Sequence, residues 1–371
     1  MIKVCHMTNV HGEEDVRIFH KECVSLAKAG YDTYLVERGE SREKDGVHII
    51  GVGEIPKSRR KRMTEGAKKV YEAARAVDAD IYHLHDPELL PYGLKLKKAG
   101  KKIIFDSHEH TAESILEKTW ITPLIRMPVY WAYSAYQSSV CHRLDAVVTV
   151  TPHMVDYFKK RNPKTVFVAN YPMLEEMPAE MSAVEKVKAI VFAGGISEQW
   201  NHGKIIAALE RLPDCRYCLC GDGSADYMAS LQEKSEWKQV DFLGKIPHKE
   251  VAERLSRCSI GMAVLTPGRN TGFQLGTMGN TKIFEEMMAG LPIICTNFVL
   301  WKEFVERYHC GICVDPANVD EIADAIRYLL DHPDEARQMG ENGRRAVKEE
   351  FNWGVEEKKL LALYEEILNK V

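Results

Sequence analysis

Three residues in one short stretch carry the sharpest chemical signal in the chain. In Gly279–Ile294, GNTKIFEEMMAGLPII, the residues Asn280, Lys282 and Glu285 fall within two helical turns. Lys282 and Glu285 stand at i and i+3, so they share a face near the N-terminus of the helix this run predicts. A lysine beside helix-end amides suits a pyrophosphate, and a carboxylate can accept both hydroxyls of a ribose. The plain alternative is an amphipathic helix whose Lys282 and Glu285 form a solvated ion pair. The Gly-Leu-Pro stop that follows, and the apolar run after it, favour the nucleotide.

Two glycine turns in the same half fit that reading. AIVFAGGISEQWNHG passes from strand to turn to helix, so Gly194, Gly195 and Ile196 can bring backbone N–H groups to an anionic ligand, with Asn201 close behind. The turn is not GxGxxG and has no acidic ribose ligand at the usual spacing, which disfavours a nicotinamide cofactor. CLCGDGSADYM repeats the arrangement with Gly221, Asp222 and Gly223, a platform for the flat face of a nucleobase. Taken alone, such turns are often only tight connections.

The first half offers three blocks that each follow an apolar run. HMTNVHGEEDVRIFHKE holds Gly12 and Asp15, with Arg17 opening a helix, in a loop expected to face the donor phosphates. Against that stands a plain helix N-cap by Asp15, worth about 1 kcal/mol. YHLHDPELLP places His85 and Asp86 at a strand end, and IIFDSHEHT places Asp106, His108, Glu109 and His110 at the next. Such a cluster can hold a metal, but DSHEH lacks a clear partner set, and no metal is expected.

These groups need a scaffold that gathers strand ends. IKVCHMTNV reads as a strand, and Asp15–Ala29 as a helix stopped by Gly30. YDTYLVE, VHIIGVG, ADIYHLH, KKIIFDS and AVVTVT follow as short β-rich runs, mostly separated by helical segments. NYPMLEEMPAEMSAVEKV is Pro-containing and acidic and reads as a linker. The pattern restarts with AIVFAGG, CRYCLCGDG, VDFLGKI, IGMAVLT, PIICTN and GICVDP. The expected architecture is α/β: two tandem Rossmann-like doubly wound domains facing across a cleft. Residues 1–172 form the acceptor domain, 173–187 the linker and 188–352 the donor domain; 353–371 form a helix expected to cross back. In such sheets ligands sit beyond the carboxyl ends of the strands, where the candidate residues lie.

Composition agrees. The 371 residues suffice for two domains, and 45% hydrophobic with 28% charged residues is the balance of a globular chain with a core. A formal net charge of −4 gives no basic field for nucleic acid. No apolar run reaches the roughly 20 residues of a spanning helix, and the N-terminus reads as a strand rather than a signal peptide, so a cytoplasmic protein is expected. Among ten cysteines, Cys215 with Cys218 and Cys310 with Cys313 form CxxC pairs, and Cys220 is close by. Both pairs run into apolar strand sequences, so small core residues are expected rather than zinc knuckles.

At the opening stretch the chain resembles the retaining GT-B glycosyltransferases of family 4, through the motif N-x-K-x-F-E-x-M-x-A-G-x-P from Asn280 onward. The resemblance extends through both halves. It implies transfer of a sugar from a nucleoside diphosphate sugar, with UDP-sugar the favoured donor, no further cofactor, and Glu285 on the donor ribose. It also implies that His108 lies beside the reacting sugar, with Glu109 or Asp106 orienting it, and that the leaving phosphate helps deprotonate the acceptor by front-face displacement. The chain departs from the family in two places. Many members carry a glutamate eight residues before Glu285, where this chain has Thr277, and many carry Arg and Lys where it has Trp200 and Asn201. Pyrophosphate charge then falls on Lys282, on backbone amides and on Arg269 in LTPGRNTGF, which marks a variant subgroup.

PKSRRKRMTEGAKK is a basic run, and ILEKTWITPLIRMPVYWAYSAY is rich in Trp, Tyr and Met. Together they suit a surface facing anionic lipid headgroups, against a solvated loop and a core helix. The expected acceptor is a glycan or lipid-linked saccharide, in cell-surface polysaccharide synthesis at the inner face of a membrane. A sugar-nucleotide epimerase of the same frame, or a noncatalytic carbohydrate-binding protein, are the competing readings.

Overall fold

The computed structural model describes residues 1–118, 121–177 and 186–368. The chain forms two compact units, one of Met1–Asn170 with Trp353–Val371, the other of Tyr171–Asn352. The middle of the expected linker, 178–185, and residues 119–120 of the aromatic segment lie outside the described residues.

The first unit is built on eight strands: β1 (Lys3–Met7), β2 (Asp32–Glu37), β3 (Arg42–Lys44), β4 (Val47–Gly51), β5 (Ile81–Leu84), β6 (Lys102–Ser107), β7 (Ala146–Thr149) and β8 (Thr165–Phe167). They lie in the order β3-β4-β2-β1-β5-β6-β7-β8, parallel throughout except for β3 against β4. A parallel sheet covered on both faces needs side chains that tolerate burial at every position. All four residues of β5 and of β7 are buried accordingly. Yet β1 and β5 spend some of those positions on imidazoles: the register sets His6 beside His83.

Strand order reverses between β1 and β5, so the loops after them are where a ligand belongs. The helix following the β1 loop winds as a π-helix over Val16–Cys23 and continues as α-helix over Val24–Lys28. Residues five apart diverge around an α-helix but nearly stack in a π turn. Arg17 and Glu22 thereby meet, Nε to Oε1, at 3.1 Å. The C-terminal helix Trp353–Leu368 belongs to this unit. Trp353 donates to Ser25 Oγ, Glu356 accepts the Ala169 N–H, and Tyr364 is fully buried.

The second unit holds β9 (Ala189–Ala193), β10 (Arg216–Cys220), β11 (Val240–Gly244), β12 (Ile260–Ala263), β13 (Ile293–Thr296) and β14 (Gly311–Val314). They form a wholly parallel sheet in the order β11-β10-β9-β12-β13-β14, which reverses between β9 and β12. The cysteines of both CxxC pairs lie on or beside these strands as free thiols, and all but Cys313 are buried.

Candidate active site

In the second unit the loop after β9 and the loop after β10 are fitted to each other. Gly194 (φ +152°) and Gly221 (φ +135°) sit in conformations that L side chains rarely adopt, and a Cβ on Gly221 would strike the carbonyl of Gly194. Ile196 N–H donates to the Asp222 carbonyl at 2.8 Å, and Ile196 bridges Gly223, so the two turns advance together. Asp222 and Gly223 are exposed, which leaves the second turn open to a ligand.

Lys282 reaches over this pair of turns. Its ammonium fills the place a Cβ on Gly194 would take, and lies 5.5 Å from the ring centroids of both Phe192 and Trp200. Trp200 thus forms part of the floor under this lysine. No carboxylate lies within ion-pair distance of Lys282 among the described residues, so the solvated Lys282–Glu285 pair does not form. Asn280 is the N-cap of the helix Thr281–Met288, its Oδ1 accepting the Lys282 N–H at 3.1 Å. Asn201 (φ +50°) turns inward and donates to Val264 O and to Thr266 Oγ1, tying the β9 turn to the loop after β12. Thr277 spends its hydroxyl on the Gly279 N–H, and Trp301 Nε1 donates to its carbonyl. Arg269 is exposed on a neighbouring 3₁₀ turn, with its guanidinium 5.7 Å from the Phe273 ring centroid. Glu285 stays partly exposed, whereas Glu286 is buried against β12, where Gly261 leaves room for it, and burial raises its carboxyl well above the usual range.

In the first unit the candidate residues converge on Asp106, at the end of β6. Its Oδ2 accepts from Arg17 Nε at 2.8 Å and pairs with His108 Nε2 at 2.9 Å, with His85 Nδ1 at 3.5 Å. Burial alone would raise this carboxyl, but Arg17, then His108, hold it well below the usual carboxylate range. His108 is only part buried, and among the described residues its Nδ1 has no protein partner. Glu109 does not orient His108, contrary to one expectation: its side chain is exposed, and its carbonyl accepts from Ser107 Oγ. The His108 ring instead contacts Asp106, and His85 at 3.3 Å. His110 instead caps the next helix, Nδ1 accepting from Glu113 N–H.

Arg17 also corrects an expectation. It does not face a phosphate but is buried, donating to Asp106 and to Val168 O while contacting Glu22. A guanidinium at the base of a loop is as useful for gathering carboxylates as for holding a ligand, and here the π turn aims it inward. Asp15 is the helix cap: Oδ1 accepts from Arg17 N–H and Ile18 N–H. Its Oδ2 lies 3.5 Å from His11 Nδ1. Gly12 is exposed with open space above it. Asp86 clamps the β1 loop by accepting from Thr8 Oγ1, Asn9 N–H and Val10 N–H on one oxygen.

Several members of the site gave no separate sequence signal. His11 faces His108 with ring centroids 4.8 Å apart. Burial works against its protonated form, but Asp15 and Asp86 prevail and raise its pKa. Glu88, on the turn after Asp86, holds Asn9 Nδ2 at 2.7 Å and Arg62 Nη2 at 2.8 Å. His6, His83, Glu22 and Tyr364 form a wholly buried layer beneath His85. Burial pushes His85 down to about 4 and His6 and His83 well below the usual imidazole range.

Comparison with known proteins agrees with this geometry. Residues 175–346 match the family described as "Glycosyl transferases group 1", and residues 17–170 match "Glycosyltransferase Family 4". The chain is 24% identical over 315 residues to the MMP alpha-(1->4)-mannosyltransferase of Mycolicibacterium hassiacum, covering 81% of this chain and 73% of that one. Among solved structures, sucrose-phosphate synthase from Thermosynechococcus elongatus superposes with a TM-score of 0.76 at 16% identity, covering 100% of both chains. Anabaena HepE, in complex with UDP and glucose, gives 0.72 at 14% identity, over 99% of this chain and 100% of that one. These likenesses do not favour the epimerase or noncatalytic readings. With two α/β units, a lysine over paired glycine turns and family matches through both halves, the chain belongs to the group 1 glycosyltransferases, enzymes of the GT-B fold.

Proposed function

We propose that this enzyme transfers a hexose-type unit from a UDP-sugar, with retention, to a glycan or lipid-linked saccharide in cell-surface polysaccharide synthesis. The observation that carries the donor half is the Lys282 ammonium, with no carboxylate within ion-pair distance among the described residues and poised over the Gly194 turn. A diphosphate brings negative charge to this ammonium, and partly exposed Glu285 is available to the ribose. HepE, a neighbour in fold, is described with UDP and glucose.

The work then divides between the units. Lys282 and the turn amides stabilise the departing nucleotide, whose phosphate takes the acceptor proton. In the first unit Asp106 fixes the His108 ring so that Nδ1 is offered to a sugar hydroxyl, an orienting task. The test is a thermal-shift panel of nucleotide sugars on the purified enzyme. A UDP-sugar is expected to raise the melting temperature in a concentration-dependent way, by mass action on the folded state. No shift with any nucleotide sugar would refute the donor assignment.

The acceptor side rests on the helix Pro123–Cys141. Leu124 is 87% and Trp131 63% exposed, and they share a face with Met127, also exposed. Exposed apolar and aromatic side chains on one helix suit the headgroup layer of a bilayer. Arg62 of the basic run is held by Glu88, whereas Arg60 and Lys61 are exposed. No helix among the described residues is long and apolar enough to cross a membrane. In flotation with vesicles containing anionic phospholipid, the enzyme is expected to rise with the lipid and L124S/W131S to stay behind. Equal flotation of both would remove this helix from the proposal.

A further inference from the structure

Beneath the catalytic histidine lies a second cluster that the transfer reaction does not use directly. His6 from β1, His83 from β5, His85 just after that strand and Glu22 from the π-helical turn are all buried, and one ligand atom of each lies within 4.8 Å of every other. The facing atoms are His6 Nδ1, His83 Nδ1, His85 Nε2 and Glu22 Oε2. From Glu22 Oε2 the three nitrogens stand at 3.8, 3.7 and 3.9 Å, while His6 Nδ1 and His85 Nε2 approach to 2.8 Å.

These distances distinguish between what the cluster can hold. Three of them are too long for hydrogen bonds, which end near 3.2 Å for nitrogen and oxygen. A water bonding to four tetrahedral partners at about 2.8 Å would spread them to about 4.6 Å apart. A tetrahedral zinc with ligand distances near 2.1 Å sets its ligands about 3.4 Å apart. The three edges from Glu22 lie nearer that last value than the spacing around a water, and the His6–His85 edge is at hydrogen-bond distance. Glu22 Oε2, which faces the imidazoles, has no hydrogen-bond partner among the described residues, while Oε1 lies 3.1 Å from Arg17 Nε. Four buried side chains whose ligand atoms converge, three imidazoles and one carboxyl group, make a donor set suited to a transition metal.

We propose that His6, His83, His85 and Glu22 bind a divalent transition metal, for which three imidazoles and one carboxylate best suit zinc. Tyr364 supplies the outer bond, its phenol oxygen lying 3.2 Å from His6 Nε2 and so fixing the tautomer that bares Nδ1. His83 Nδ1, now 2.8 Å from the same phenol, exchanges that hydrogen bond for the ion, and the His6–His85 contact opens to the spacing of two ligands. With its Nε2 on the metal, His85 carries its proton on Nδ1, toward Asp106. The ion thus joins β1, the π-helical turn and β5, and sets the tautomer of the histidine that touches His108.

The test needs no substrate. Enzyme stripped with a chelator and titrated with Co2+ is expected to develop the intense visible bands of tetrahedral cobalt at one ion per chain. Zn2+ should displace the bands and raise the melting temperature of the stripped enzyme. Glu22→Gln and His83→Ala should lose both effects, and His108→Ala, outside the ligand set, should keep them. If either ligand variant fails to fold, the wild-type titration still decides. Absence of tetrahedral bands in folded wild-type enzyme would overturn the site, as would unchanged bands in a folded His83→Ala.

Discussion

Lys282→Ala is expected to lower kcat/KM for the nucleotide sugar by about 10²–10³-fold, the usual cost of removing one preorganised donor from a developing anion. Negative charge grows on the leaving diphosphate as the glycosidic bond breaks. Trp200, beside Lys282, brings no charge, and Asn201 is committed to Val264 and Thr266. One ammonium, with no carboxylate within ion-pair distance among the described residues, is therefore expected to balance much of that developing charge. Arginine should not substitute fully, because the space over Gly194, Phe192 and Trp200 is already filled by a slim lysine end. Glu285→Gln, by contrast, should act mainly on KM, since a ribose contact is made equally in ground and transition states. Initial rates of nucleoside diphosphate release over a range of donor concentrations check both. A Lys282→Ala enzyme within threefold of wild type would place the diphosphate elsewhere.

What the sequence could show about this site, and what it could not, follows from the kind of signal each residue leaves. Strands buried on both faces leave continuous apolar runs, so β5, β7, β9 and β13 stand out. The polar edge strand β3, REK, leaves none, and β8, TVF, is too short to register. The helical motif places Lys282 and Glu285 on one face by spacing alone. Spacing does not tell that Glu285 stays partly exposed while its neighbour Glu286 is buried into the gap over Gly261.

In the first unit the limits are topological. Asp106 and His108 are visible because they sit together in sequence. Their partners come from elsewhere: Arg17 is 89 residues from Asp106, and Tyr364 is 281 residues from His83. A parallel sheet brings β1 beside β5, so histidines that look like isolated core residues become one cluster. The inward aim of Arg17 depends on a π turn, and no local propensity distinguishes that winding from an ordinary helix. Asn280, expected on the donor, and Asp15, weighed both as a helix cap and as part of a phosphate-facing loop, are both helix caps, because the residues that bind anions at a helix start are also those that close it.

Arg17 and Asp106 should separate stability from catalysis, because they share one ion pair but not the same neighbours. Arg17→Ala leaves two buried carboxyl groups, Asp106 and Glu22, facing each other without their common cation. Stripping one partner from a buried pair costs about 3–5 kcal/mol, and this variant should reach that range. Asp106→Ala is expected to cost less, since Arg17 keeps Glu22 at 3.1 Å and Val168 O at 3.0 Å. Activity should follow the opposite order. Asp106 is the carboxylate that positions His108, so its loss lets the ring turn and is expected to reduce kcat by about 10²-fold or more. Arg17→Ala still leaves Asp106 against His108, and below its lowered unfolding midpoint should retain more of the rate. Urea denaturation gives the first order and initial rates at a temperature where both variants are folded give the second. If the less stable variant is also the less active, Arg17 and Asp106 act as one structural unit, and His108 does not depend on Asp106 for its orientation.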